Sequence, residues 1–209
     1  MWGLDNQGSS PDPCSETYRG TSAFSEPETQ IVRDFIEQKD FTIAMNYHSY
    51  SNLLIYPFGY SYENPMDQDD LDTFIEYAQD MTQYNNYEIG TGTELLYPVN
   101  GEACDWMYGV HGIFAYTPEV GSYNDGFWPP SSRIVPLAEE NLSPNIRTAL
   151  YGGPLMSSVL NIEEGPYLGS NFYTIDVLLN NIGLSSSLGI PAIKFFYIPS
   201  LFFSDTFIE

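Results

Sequence analysis

Basic residues are scarce in this sequence. Six Lys and Arg stand against 28 Asp and Glu in 209 residues, a formal charge of -22. A surface this negative repels phosphate backbones and anionic headgroups, which argues against nucleic acid and anionic membranes as partners. It favours solubility and cationic ligands. Cysteine is scarce too. Cys14 and Cys104 form no CxxC, and two thiols make no disulfide framework. No run of about 20 apolar residues suggests a membrane span. Met1–Asp5 has neither the basic nor the apolar region of a secretory leader. There is no convincing internal repeat.

Aromatic side chains, by contrast, are abundant: 17 Tyr, 13 Phe and 3 Trp. Tyrosine joins a large apolar ring to a polar tip, which suits half-buried sites and ligand clefts. Apolar residues make up 43% of the chain, enough for a packed core. The length allows one domain, or one domain and the start of another.

Residues 3–23 are rich in Gly, Ser, Pro and Asp and read as an irregular loop. A helix is expected next, capped by Ser25 with Glu28 closing a capping box and Pro27 in the first turn. Ile31, Val32, Phe35 and Ile36 form its apolar stripe. Phe41–Tyr47 and Leu53–Tyr56 read as short strands, and Asp67–Tyr84 as a helix with an acidic start that complements its dipole. Ile113–Pro118 reads as a core strand ending at Glu119, and Ser132–Asn141 as a third helix that can run on to Tyr151 beyond a break at Pro144. This alternation predicts an α/β fold with a mixed central β-sheet flanked by helices. Past Gly152-Gly153-Pro154 the pattern turns β-like at Val159–Ile162, Phe172–Leu179 and Ala192–Ile198. Two regions are therefore expected: an α/β part over 1–151, and the beginning of a small all-β, sandwich-like domain over 152–209.

Two residues stand at strand ends, where open α/β sheets bind ligands. His48 follows one strand and opens the segment His48-Ser49-Tyr50-Ser51-Asn52. Glu119 ends another. An imidazole there suits zinc, and a desolvated carboxylate suits general-base work. Position alone still favours a hydrogen-bonded histidine and a solvated glutamate. Tyr97 lies in the loop segment Leu95–Gly101, where a phenol can close over a substrate or pack as an ordinary loop tyrosine.

Four ordered motifs add to this reading. They are Pro13-Cys14-Ser15-Glu16-Thr17-Tyr18-Arg19-Gly20 with Ser25-Glu26-Pro27-Glu28; His48-Ser49-Tyr50-Ser51-Asn52 running on to Tyr56-Pro57-Phe58-Gly59-Tyr60; Leu96-Tyr97 with Gly101, Asp105-Trp106 and Tyr108; and Phe114–Glu119. Together these segments resemble the zinc metallocarboxypeptidases of the carboxypeptidase A and T type, over roughly residues 2–150. The resemblance implies hydrolysis of the last peptide bond of a peptide, with one Zn2+ in the intact enzyme. It implies His48 as a zinc ligand, Glu119 as general base, and Tyr97 as the mobile tyrosine over the substrate carboxylate. Ser49 and Tyr50 correspond to subsites before the scissile bond. Gly59, Leu96, Glu102, Cys104 and Thr117 correspond to the pocket for the C-terminal side chain. The implied partners are peptide or protein C-termini in a secreted, extracellular setting. Nothing in the sequence fixes an oligomeric state.

The chain departs from the family in one large respect. It has no His-x-x-Glu, because His48 is followed by Ser-Tyr-Ser and His111 by Gly-Ile-Phe. The family's substrate-binding arginines are unmatched as well. The resemblance therefore implies a chain that begins inside the catalytic domain and is inactive in isolation. The alternative is a non-catalytic, carboxypeptidase-like peptide-binding module. Glu102, where the family often has glycine, would favour Lys or Arg at the substrate C-terminus; a Glu102 turned outward would leave a neutral pocket lined by Cys104. His111 and the Asp67–Asp72 cluster read as structural, and Cys14 as unpaired.

Overall fold

The computed structural model describes residues 2–154, 156–164 and 173–184. The chain divides into two compact units, Met1–Gly152 and Gly153–Glu209.

The first unit is built on four strands: β1 (Ile43–Met45), β2 (Leu53–Tyr56), β3 (Glu88–Thr91) and β4 (Phe114–Glu119), in the order β1-β4-β2-β3. β1 runs parallel to β4 and β2 parallel to β3, while β2 and β4 are antiparallel. This is the mixed sheet expected. β2 is an apolar run without alternation and β4 opens with one, as strands covered on two faces should. Every residue of β2, and all of β4 after Phe114, is buried.

One face of the sheet carries an aromatic core. Helix α2 (Gln68–Thr82) starts at Asp67, whose carboxylate accepts the Asp69 amide at 3.0 Å, so the acidic start caps the helix. It places Phe74, fully buried, against Tyr56, Tyr108, Phe114 and Tyr116 at ring separations of 4.6–5.9 Å. The Tyr116 hydroxyl donates to the Phe74 carbonyl at 3.0 Å, so a buried phenol is satisfied inside this cluster. On a second core cluster, Cys104 and Met107 from α4 (Ala103–His111) pack with Ile36, Ile113 and Ala115.

Three details differ from the sequence expectations. Helix α1 spans Pro27–Glu37 with Glu26, not Ser25, at its N-cap. The Ser25 hydroxyl is already engaged, accepting the Thr21 amide and donating to Glu26, so the expected capping box does not form. The apolar stripe of α1 is largely open: Ile36 is buried, but Ile31, Val32 and Phe35 are 70%, 50% and 54% exposed. The third helix ends at Asn141 as expected, but the continuation starts at once, ahead of Pro144, so that α5 (Ile134–Glu140) is followed by α6 (Leu142–Tyr151). Asn141 donates to the Leu137 carbonyl and the Tyr87 hydroxyl, which fixes the break. Pro144 sits in the first turn of α6, where its missing N–H costs little.

In the second unit, β5 (Met156–Glu164) and β6 (Tyr173–Asn181) form one antiparallel pair. A single pair does not establish a sandwich-like domain. Ala192–Ile198 lies outside the described residues.

Candidate active site

The parallel pairing of β1 and β4 brings two chain segments to the same end of the sheet. Three residues past β1, the His48 amide donates to the Pro118 carbonyl at 2.9 Å, and the Val120 amide donates to the His48 carbonyl at 3.0 Å. Backbone pairing thus sets His48 beside Glu119. His48 Nδ1 lies 3.6 Å from Glu119 Oε1, and His48 Nε2 lies 3.1 Å from Asn46 Nδ2. An imidazole protonated on Nδ1 satisfies both neighbours. Contact with the Glu119 carboxylate raises the His48 pKa; burial opposes the rise, and the charges of Glu119 and Glu102 add to it. Glu119 is 8% exposed, whereas half of the His48 side chain faces solvent.

A polar pocket adjoins this pair. Thr117 precedes Glu119 by two residues on β4, so both side chains leave the same face of the strand. Thr117 Oγ1, Glu102 and the Cys104 thiol lie against one another. Glu102 Oε2 and Thr117 Oγ1 nevertheless close no hydrogen bond of normal geometry. A Cβ on buried Gly59 would collide with Glu102 Oε2, so glycine is what leaves room for the carboxylate. Asp105, 3% exposed, accepts the Gly59 amide at 2.9 and 3.1 Å. Burial, then the charge of Glu102, pushes Asp105 up to about 7, although the Gly59 amide opposes this. Burial also raises Glu102 and holds the Cys104 thiol far above its ordinary value.

The remaining expected residues surround this centre without joining its hydrogen bonds. Leu96 and Tyr97, 41% and 61% exposed, follow the short helix α3 (Gly92–Leu95). Their loop is tied to the pocket where the Val99 amide donates to the Gly59 carbonyl at 2.9 Å. Ser49 is exposed, and the Tyr50 ring meets Phe127 and Tyr123 edge-on at 4.8 and 6.1 Å. His111 packs on Trp106 at 4.7 Å, away from the site. A cavity of about 570 Å³ lined by Trp2, Arg19, Phe24, Phe58, Glu102 and Trp106 includes neither His48 nor Glu119.

Asp105 was not singled out as a site residue from sequence, although the hydrogen bonds it accepts shape the pocket. Helix α3 had a readable signal, since Thr91 and Glu94 form a reciprocal capping box.

Residues 1–143 match the zinc carboxypeptidase family model. The chain belongs to the zinc carboxypeptidase family. It is 38% identical over 143 residues to carboxypeptidase B of Astacus astacus, covering 65% of this chain and 47% of that protein. It is also 38% identical over 141 residues to carboxypeptidase A4 of Mus musculus, covering 64% and 33%. Bovine thrombin-activatable fibrinolysis inhibitor, solved in complex with tick carboxypeptidase inhibitor, superposes with a TM-score of 0.62 at 30% identity, over 68% of this chain and 50% of that one. The chain thus spans between a third and a half of the length of these curated relatives.

The zinc that the family's name implies has to be held by donors of the right kind and number. Tetrahedral catalytic sites use three protein ligands and a water. His48 can be one. Glu102, Cys104 and Asp105 do offer three donor atoms within 4.8 Å of one another. However, Asp105 is occupied by the Gly59 amide and the thiol is held neutral, so this group is a poor zinc cage. The described residues therefore fit one corner of a zinc site and do not complete it.

Proposed function

We propose that this chain supplies the general base, one metal ligand and the side-chain pocket of a zinc-dependent carboxypeptidase that removes C-terminal residues from peptides. The observation that carries the proposal is the 3.6 Å approach of His48 Nδ1 to Glu119 Oε1 from two parallel strand ends. In this reading His48 is a zinc ligand, completed by ligands that the described residues do not provide. Zinc, when bound, lowers the pKa of water toward about 7 and polarises a carbonyl.

The chain's own side chains perform the rest. Glu119 accepts a proton from the attacking water and delivers it to the leaving amine. Its burial excludes bulk water and strengthens its charge interactions. Tyr97, on its exposed loop, covers the substrate's terminal carboxylate. Ser49 and Tyr50 hold residues before the scissile bond, with Phe127 and Tyr123 backing the Tyr50 ring. Gly59, Leu96, Glu102, Cys104 and Thr117 receive the C-terminal side chain. We assign 1–151 to the catalytic domain and 152–209 to an all-β accessory region, in an extracellular protein.

The test is hydrolysis of N-blocked dipeptides by the natural protein that contains this chain. Zinc-dependent release of the C-terminal amino acid is expected. A second reading, a non-catalytic peptide-binding module, draws on the missing His-x-x-Glu. It is favoured if the natural protein binds such peptides without cleaving them at any zinc concentration.

A further inference from the structure

We infer that Asp125 and Arg133 are positioning residues for the substrate, holding the turn after Glu119 so that the Tyr50, Tyr123 and Phe127 rings stay beside the general base. The inference rests on the carboxypeptidase reading and names residues which that reading leaves without a role.

Segment 120–130 leads from β4 toward α5 and carries no helix or strand. Its rings are not held by burial. Tyr123 and Phe127 are 84% and 76% exposed, yet both meet the Tyr50 ring edge-on. Edge contacts between rings this open to water do not by themselves keep a loop in one place.

A polar clamp does. The Asp125 carboxylate takes four donors. Its Oδ2 accepts the Ser122 amide and the Ser122 hydroxyl, each at 2.8 Å, which closes the turn on itself. Arg133, at the N-cap of α5, donates from Nε to Oδ1 at 2.7 Å and from Nη2 to Oδ2 at 3.2 Å. Such a forked arginine–carboxylate pair fixes direction as well as distance. The Asp125 side chain is 7% exposed, and Glu140, at the far end of α5, steadies the guanidinium at 3.2 Å.

The clamped turn reaches the substrate side through the backbone. The Gly121 carbonyl accepts the Ser51 and Asn52 amides at 2.8 and 2.9 Å, so the segment that bears Ser49 and Tyr50 hangs from it. Gly121 has φ 93°, and a Cβ there would stand 3.2 Å from Asp125 Cβ, so the turn needs glycine where it closes. Glu119 is held separately, since the Pro118 carbonyl and the Val120 amide on either side of it pair with the His48 backbone. Losing the clamp therefore loosens the rings and leaves the base in place.

The experiment measures kcat and KM of the natural protein on N-blocked Phe-Leu and N-blocked Gly-Leu, together with equilibrium binding of both peptides. The wild type should show the lower KM for Phe-Leu. In Asp125→Asn the KM for Phe-Leu should rise about tenfold, with kcat within threefold of wild type. The KM for Gly-Leu, which has no ring before the scissile bond, should also stay within threefold. Arg133→Gln should do the same from the other side of the pair, and Arg133→Lys should recover part, because an ammonium replaces the fork with a point charge. Arg147→Gln is the control for lost stability: it removes the 3.1 Å Arg147–Asp80 pair elsewhere in the fold and should leave the KM ratio of the two peptides unchanged. A variant that merely unfolds loses kcat on both peptides equally and keeps that ratio. Equal KM for the two peptides in the wild type, or a wild-type ratio in Asp125→Asn and Arg133→Gln, overturns the inference, while cleavage itself still upholds the carboxypeptidase reading. A protein that cleaves neither peptide, but binds the Phe peptide more tightly and loses that difference in Asp125→Asn, upholds the positioning role and overturns the proposed catalysis. One that cleaves neither and binds both alike overturns both.

Discussion

Asp105 holds the Gly59 amide with both carboxylate oxygens, at 2.9 and 3.1 Å, from a position only 3% exposed. This contact joins helix α4 to the turn after β2 and fixes the floor of the pocket. It is bought with desolvation, since the carboxyl is pushed up to about 7.

A pH dependence of stability follows from that shift. The folded state binds the Asp105 proton more tightly than the unfolded chain, whose carboxyl titrates near 3.8. The contribution is therefore fully present below pH 3.8 and is lost as pH rises to about 7. Its size across the window is about 4 kcal/mol. Tyr60 and Cys104 also feel this charge, and Glu102, whose own charge raises Asp105, is itself shifted upward, mainly by burial. Urea unfolding of Asp105→Asn from pH 4 to 8 is expected to show a shallower loss of stability than the wild type. Parallel curves would show that Asp105 does not carry the effect.

Gly59 and Glu102 should behave as a coupled pair. Gly59→Ala places a methyl group into the Glu102 carboxylate and should cost about 1–3 kcal/mol. In a Glu102→Ala background the same substitution should cost much less, because the colliding atoms are gone. Equal costs in both backgrounds, measured by denaturant unfolding, would remove Glu102 from beside Gly59.

Zinc binding by the 209-residue chain alone should be weak. One imidazole cannot form a three-ligand site, and the chain has only two histidines, His111 being packed on Trp106. Calorimetric titration is expected to show no stoichiometric site tighter than about 10 μM, with His48→Ala weaker still. Tight one-to-one binding would mean that the described residues complete the metal site after all.

Much of this was legible in the sequence, and the failures are physical. β2 is a short apolar run, β4 opens with the run Phe114–Tyr116, and α2 has both a helical period and an Asp67 cap, so composition and structure agree there. β3 carries Glu88 and Gly90 at the sheet edge and shows no strand pattern. α4 is nearly apolar around, with Cys104, Met107 and Trp106 in one core cluster, and its end was marked only by Gly112 in the left-handed region at φ 66°. The stripe of α1 was legible as an apolar face but is mostly open, because periodicity reports a face and not what covers it. Within the site, strand-end placement exposed His48 and Glu119 as candidates. Asp105 stayed hidden because its partner is a backbone amide 46 residues away.

The most direct test concerns Glu119 beside His48. In the natural protein, kcat on an N-blocked dipeptide should fall at least 100-fold in Glu119→Gln while zinc content stays at the wild-type level. His48→Ala should lose both zinc and activity. Activity within threefold of wild type in Glu119→Gln, or unchanged zinc content in His48→Ala, would contradict a shared metal-centred site at these two strand ends.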